Sequence, residues 1–191
     1  MTITDAAGET YTGGSQEWYE NRWHRGAGCG PVAASNLIWY MTRPQGGKER
    51  YMEIMREMFK YVTPGIRGVN NSAIFTGGIV RYGADKGLQI AAQVLEIPAK
   101  TRLRPDSGTA CGFIATALQE DAPVAFLNLS NGELDDLEAW HWVTIIAIDT
   151  ATAQVEVSDH GKTLGLDISL WLKTSALGGA LVYLAAQPAS L

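Results

Sequence analysis

The stretch that decides the fold is His141-Trp142-Val143-Thr144-Ile145-Ile146-Ala147-Ile148, followed, after the turn residues Asp149 to Ala153, by Gln154-Val155-Glu156-Val157-Ser158-Asp159. Both runs are strand-length and rich in β-branched residues, and the short polar turn between them predicts an antiparallel hairpin. Outward from this pair the same pattern recurs at Pro123 to Leu129, Leu164 to Ile168 and Gly179 to Ala186, with little chain left between them for helices. The second half therefore reads as an antiparallel sheet.

The first half has the other period. Pro31 to Met41 predicts a helix, with proline in the first turn where its missing N–H costs nothing. Lys48 to Val62 places Tyr51, Ile54, Met55, Met58, Phe59 and Val62 on one face at helical spacing, a stripe read as core. A third helix is expected from Ser72 as N-cap to about Asp85, then a short strand from Leu88 to Ile97. A fourth helix begins after Ser107, with Cys111, Ile114, Ala115 and Leu118 on one side. Residues 1–15 are expected to be flexible. Helices gathered first and strands last predict one α+β domain over residues 1–191, a mostly helical lobe (about 16–120) packed beside a sheet lobe (about 121–191), with a cleft where they meet.

Composition narrows the function classes. At 191 residues, 46% hydrophobic and 18% charged, the chain can bury one core. Its net charge is −5, and every lysine and arginine except Lys162 and Lys173 precedes Pro105, which leaves the second half anionic. The basic residues are scattered without interleaved aromatics, which argues against nucleic-acid binding. No run approaches the ~20 apolar residues of a membrane span. The first residues show no basic-then-apolar leader, so a cytoplasmic location is expected. Two cysteines are too few for a disulfide scaffold, and His24, His141 and His160 show no metal-ligand spacing, so neither a metal nor another cofactor is expected.

The chemistry concentrates in Trp23-His24-Arg25-Gly26-Ala27-Gly28-Cys29-Gly30-Pro31. A cysteine opening a helix has the positive end of the helix dipole at its sulfur, and glycine neighbours let a carbonyl approach. Its base is sought in His141, which opens a strand directly after a polar loop and so belongs at the sheet rim. With the hairpin centred near Ala151 and Thr152, Asp159 faces Val143 on the same side as His141. The two become diagonal neighbours roughly 7–8 Å apart at Cα, near enough for the carboxylate to orient the imidazole. A one-residue change of register would put Asp159 on the other face. Cys111 reads as structural, and His160 is expected on the face opposite Asp159. His24, Trp140 and Trp142 are candidates to line the cleft. Glu133, Asp135, Asp136 and Glu138 are expected at its rim, where they would favour a cationic substrate.

Gly-Cys29-Gly-Pro before a small-residue helix, a Pro-Val strand, His141 leading an apolar strand and Asp159 ending the next together resemble the papain-like cysteine peptidases. Within that clan the chain is most similar to the bacteriocin-leader (double-glycine) peptidase-like proteins of bacteria. The resemblance implies a papain-like fold and a Cys29–His141–Asp159 triad that cleaves a peptide or isopeptide amide through a thioester, with a peptide or protein as partner. The family carries an oxyanion-hole glutamine a few residues before the cysteine. Here the nearest is Gln16, so the role is expected of Asn21, the nearest amide, beside the Cys29 backbone N–H, with Gln16 behind it. The same triad could pass its acyl group to an amine, as an acyltransferase or transglutaminase-like enzyme. A degenerate scaffold would be left as a peptide-binding module.

Overall fold

The computed structural model describes residues 1–186 and shows a mixed α+β protein. Residues 187–191 of the expected 1–191 domain lie outside the described residues. Hairpin β1 (Thr2–Thr4) and β2 (Thr10–Thr12) leads, followed by a 3-10 turn at Gln16–Trp18. Helices α1 (Arg22–Ala27), α2 (Cys29–Thr42), α3 (Lys48–Tyr61) and α4 (Ser72–Asp85) come next, then strand β3 (Ile90–Ile97) and helix α5 (Ser107–Gln119). The remainder is β4 (Val124–Asn128), β5 (His141–Asp149), β6 (Gln154–Asp159), β7 (Lys162–Asp167), α6 (Ile168–Thr174) and β8 (Gly179–Ala186).

Strands β3 to β8 form one antiparallel sheet in the order β3-β8-β4-β5-β6-β7. The sheet is covered on both faces. Ala125 and Leu127 of β4, with Ala180, Val182 and Leu184 of β8, join the core built with α2, α3 and α4. The alternate residues Val124, Phe126, Leu181 and Tyr183 join a second core with α5 and α6. This differs from the expected helical lobe beside a sheet lobe, because central strands apolar on both faces need helices on both. Helix α5, expected on the helical side, packs Ala110, Cys111, Ile114 and Ala117 into the second core.

Three local differences have plain causes. Residues 1–15, expected to be flexible, contain the β1–β2 hairpin, which buries Ile3 and ties to the β6–β7 turn through Thr12 N–H donating to Gly161 O at 2.8 Å. The cap of α4 is Asn71, whose Oδ1 accepts from Ile74 N, so Ser72 is the first helical residue. The run ending at Ile168 stops being strand at Asp167, whose carboxylate accepts from Leu170 N and starts α6. That helix buries Trp171, whose indole N–H donates to Asn128 Oδ1 at 2.8 Å.

The β5–β6 hairpin contains a correction to its own register. At the turn, Asp149 pairs with Gln154 and Ile148 with Val155; beyond a bulge at Ile146, Ile145 pairs with Val157 and Thr144 with Ser158. The bulge shifts the pairing by one residue and places Asp159 next along toward Val143. Helix α2 is fixed against β5 by the buried Asn36. Its amide donates to Thr144 Oγ1 at 3.0 Å, while its Oδ1 accepts from Gly14 N and from the Tyr51 hydroxyl.

Candidate active site

Cys29 is the first residue of α2 and is buried. No side chain caps this end of the helix, and Pro31 has no N–H, so the positive end of the dipole acts on the sulfur without a competing acceptor. The crowding here explains one glycine: a Cβ on Gly30 would lie 2.8 Å from the Val69 side chain, so only glycine lets the 63–70 loop close over the helix start.

His141 is 4% exposed, and its Nε2–H donates to Asp159 Oδ1 at 2.8 Å. Nδ1 is left as the ring nitrogen for proton exchange with the sulfur. Cys29, His141 and Asp159 line one cavity, with Gln16, Gly14, Asn36 and Ser158 around them. Burial works against a charged imidazole, but Asp159 and Cys29 outweigh it and push His141 up to about 10. Burial likewise opposes the Asp159 carboxylate, and the two imidazoles of His141 and His160 still hold it below the usual carboxylate range.

The structure brings Gln16, and not Asn21, to the sulfur. Asn21 is exposed and its Oδ1 is committed to capping α1, accepting from Trp23 N at 2.8 Å and His24 N at 3.3 Å. Gln16 reaches the cavity because the chain threads through Gly13 and Gly14 under Asn36 before turning at Ser15. The Gln16 Oε1 position is buried and has no hydrogen-bond partner. An amide flip exchanges oxygen and nitrogen, so that position can equally present a donor.

Of the expected cleft residues, Trp140 is 45% exposed and lines a larger cavity of about 480 Å³ that also reaches Cys29. Trp142 is buried and lines the small cavity of Cys29, His141 and Asp159; its ring stacks on Phe75 at 4.0 Å and its N–H donates to Val69 O. His24 stacks on Phe59 with centroids 3.9 Å apart and lines neither cavity. The larger cavity is completed by Trp23, Ile66 and Arg67, which sequence reasoning did not single out. Ile66 and Arg67 sit at the tip of a tight turn in which Gly65 and Gly68 pair backbone to backbone, and Ile66 is 97% exposed. The two glycines flanking them were the available signal.

His160 does not face away. It adopts φ +46 in the β6–β7 turn, and its ring lies parallel to His141 with centroids 5.5 Å apart. Strand alternation ends at Asp159, so it does not govern the next residue. Of the acidic loop, Glu133, Asp135 and Asp136 are exposed and line neither cavity, whereas Glu138 comes close to both His141 and His160. Cys111 is buried, and neither cysteine is in a disulfide. Among the described residues no helix is long and apolar enough to cross a membrane. No protein-family model matches the chain, and no curated protein matches it.

Proposed function

We propose that the protein is a thiol hydrolase that cleaves a peptide or isopeptide amide, with Cys29 as nucleophile, His141 as base and then acid, and Asp159 as the positioning carboxylate. The observation that carries this reading is the His141 ring held by Asp159 at 2.8 Å in a cavity shared with a cysteine at a helix N-terminus. The resemblance to papain-like peptidases, drawn from the same residues, points the same way.

The steps follow from the positions. The Cys29 thiol gives its proton to His141, its sulfur attacks the amide carbonyl carbon, and the oxyanion accepts from the Cys29 backbone N–H and from the Gln16 amide. His141 gives its proton to the leaving amine as the C–N bond breaks, leaving a thioester. It then takes a proton from water, whose oxygen attacks the thioester carbonyl. The C–S bond breaks, the carboxylic acid leaves, and His141 returns its proton to the sulfur. The cavity holding the triad has a volume of only about 10 Å³, room for at most one small group, so the bulk of a substrate belongs in the larger cavity between Trp23, Ile66 and Trp140.

The test is the rate of Cys29 alkylation by iodoacetamide near neutral pH, followed by mass spectrometry, together with turnover of a fluorogenic peptide library. Fast alkylation that Asp159→Asn and His141→Ala slow, with turnover abolished by Cys29→Ala, is the expected result. Alkylation no faster than that of free cysteine would overturn the proposal.

A further inference from the structure

Next to the triad, Glu138, His141 and His160 each offer one ligating atom, and these three atoms lie within 4.8 Å of one another. They come from three places in the chain: the loop before β5, the first residue of β5 and the β6–β7 turn. Two imidazoles and a carboxylate form a donor set suited to a divalent transition-metal ion, with Zn²⁺ the best match for nitrogen and oxygen ligands at about 2.0–2.2 Å. Ligand atoms around such an ion stand about 3.3 Å apart, so the three would close by at most about 1.5 Å. Glu138 is exposed and His160 only half-buried, so their side chains are free to supply that movement. Asp159 accepts from His141 Nε2 at 2.8 Å, so with Nδ1 as the metal ligand it would be the carboxylate that usually supports a metal-bound histidine from behind.

We propose that Glu138, His141 and His160 bind a Zn²⁺-class ion, and that the bound ion reversibly inhibits the enzyme. The inhibition rests on the reading of His141 as the base, because an imidazole that coordinates a metal through either nitrogen cannot take up a second proton and so cannot accept one from Cys29. This is distinct from simple capture of zinc by a thiol and its histidine, because two of the three ligands lie outside the triad.

The experiment uses the full chain, stripped with chelator and titrated with Zn²⁺ in a calorimeter, with Co²⁺ absorption as the spectroscopic check. One ion per chain is expected. Glu138→Gln and His160→Asn should each weaken binding at least roughly tenfold, and Cys29→Ala should leave it unchanged. Asparagine tolerates the positive φ at position 160, and thermal melts verify that each variant is folded. Zn²⁺ should also slow Cys29 alkylation in the natural protein far more than in His160→Asn. Binding that disappears in Cys29→Ala but survives both ligand variants overturns the site, as does the lack of stoichiometric binding. If Cys29 of the metal-free protein alkylates no faster than free cysteine, the triad reading and the inhibitory role fall together. The calorimetry then decides the metal site alone.

Discussion

At the scale of single residues, the two amides near Cys29 make opposite predictions. Gln16 lies in the cavity with an unpartnered polar atom, whereas Asn21 holds the first turn of α1. Gln16→Ala is expected to lower kcat by roughly 10²–10³ with little change in Tm. Asn21→Ala should instead cost about 1 kcal/mol of stability and leave kcat nearly unaltered. Steady-state kinetics and thermal melts on the pair read both quantities, and the reverse pattern would return the oxyanion role to Asn21. The His141–Asp159 pair gives a pH prediction. Because His141 is pushed up to about 10 and, in the proposed hydrolysis, would have to be protonated to release the amine, turnover in chelator-treated protein should fall on the alkaline side near that value. Asp159→Asn removes the carboxylate that holds the proton, so this limb should move to lower pH by roughly 1–3 units. His141→Ala should cost more activity than Asp159→Asn, since it removes the proton carrier itself.

At the scale of elements, glycines that look alike in sequence behave differently. Gly30 has the Val69 side chain against the place a Cβ would occupy, and Gly26, in α1, has open space. Gly30→Ala is expected to destabilise by about 1–3 kcal/mol through overpacking, while Gly26→Ala should be neutral or stabilising because alanine favours helix; denaturant unfolding separates them. Helix α3 was legible because its apolar stripe is set by local periodicity, and the structure buries Tyr51, Ile54, Met55 and Met58 of that stripe. Helix α6 was not. Its Ile-Ser-Leu-Trp-Leu run follows directly on a strand without glycine or proline, and only the capping bond of Asp167 marks the change. The position of Gln16 was equally hidden, since it depends on a strap held to Asn36 of α2 by a bond that spans 22 residues.

At the scale of the whole molecule, the triad lies at the rim where the start of α2, the start of β5 and the end of β6 converge, and its charges are linked to folding. His141 is raised from its usual 6.5, so its contribution to stability is complete below about pH 6.5 and is lost as pH rises toward 10. Asp159 is lowered from its usual 3.8, so its contribution is present above that value and is lost as pH falls below it. Tm is therefore expected to be highest between these limits and to decline on the alkaline side. Asp159→Asn should flatten the alkaline slope in calorimetric scans; an unaltered slope would show that other groups dominate it. The two-sided covering of the sheet was hidden at this scale for a physical reason. Single-sequence periodicity shows that β4 is apolar throughout, but not which helices come to cover each face.

The bulge at Ile146 has a consequence for descent. His141 and Asp159 stand 18 residues apart, and they meet only because one unpaired residue in β5 offsets the register set at the turn. A lineage that deleted this residue would keep Ile145 opposite Val157 and its histidine and aspartate on one face, one residue closer in sequence, whereas one that kept the residue but paired it with Val157 would turn the histidine to the opposite face. In diverging copies of this gene, the His–Asp separation and the bulge should therefore be inherited together or altered together.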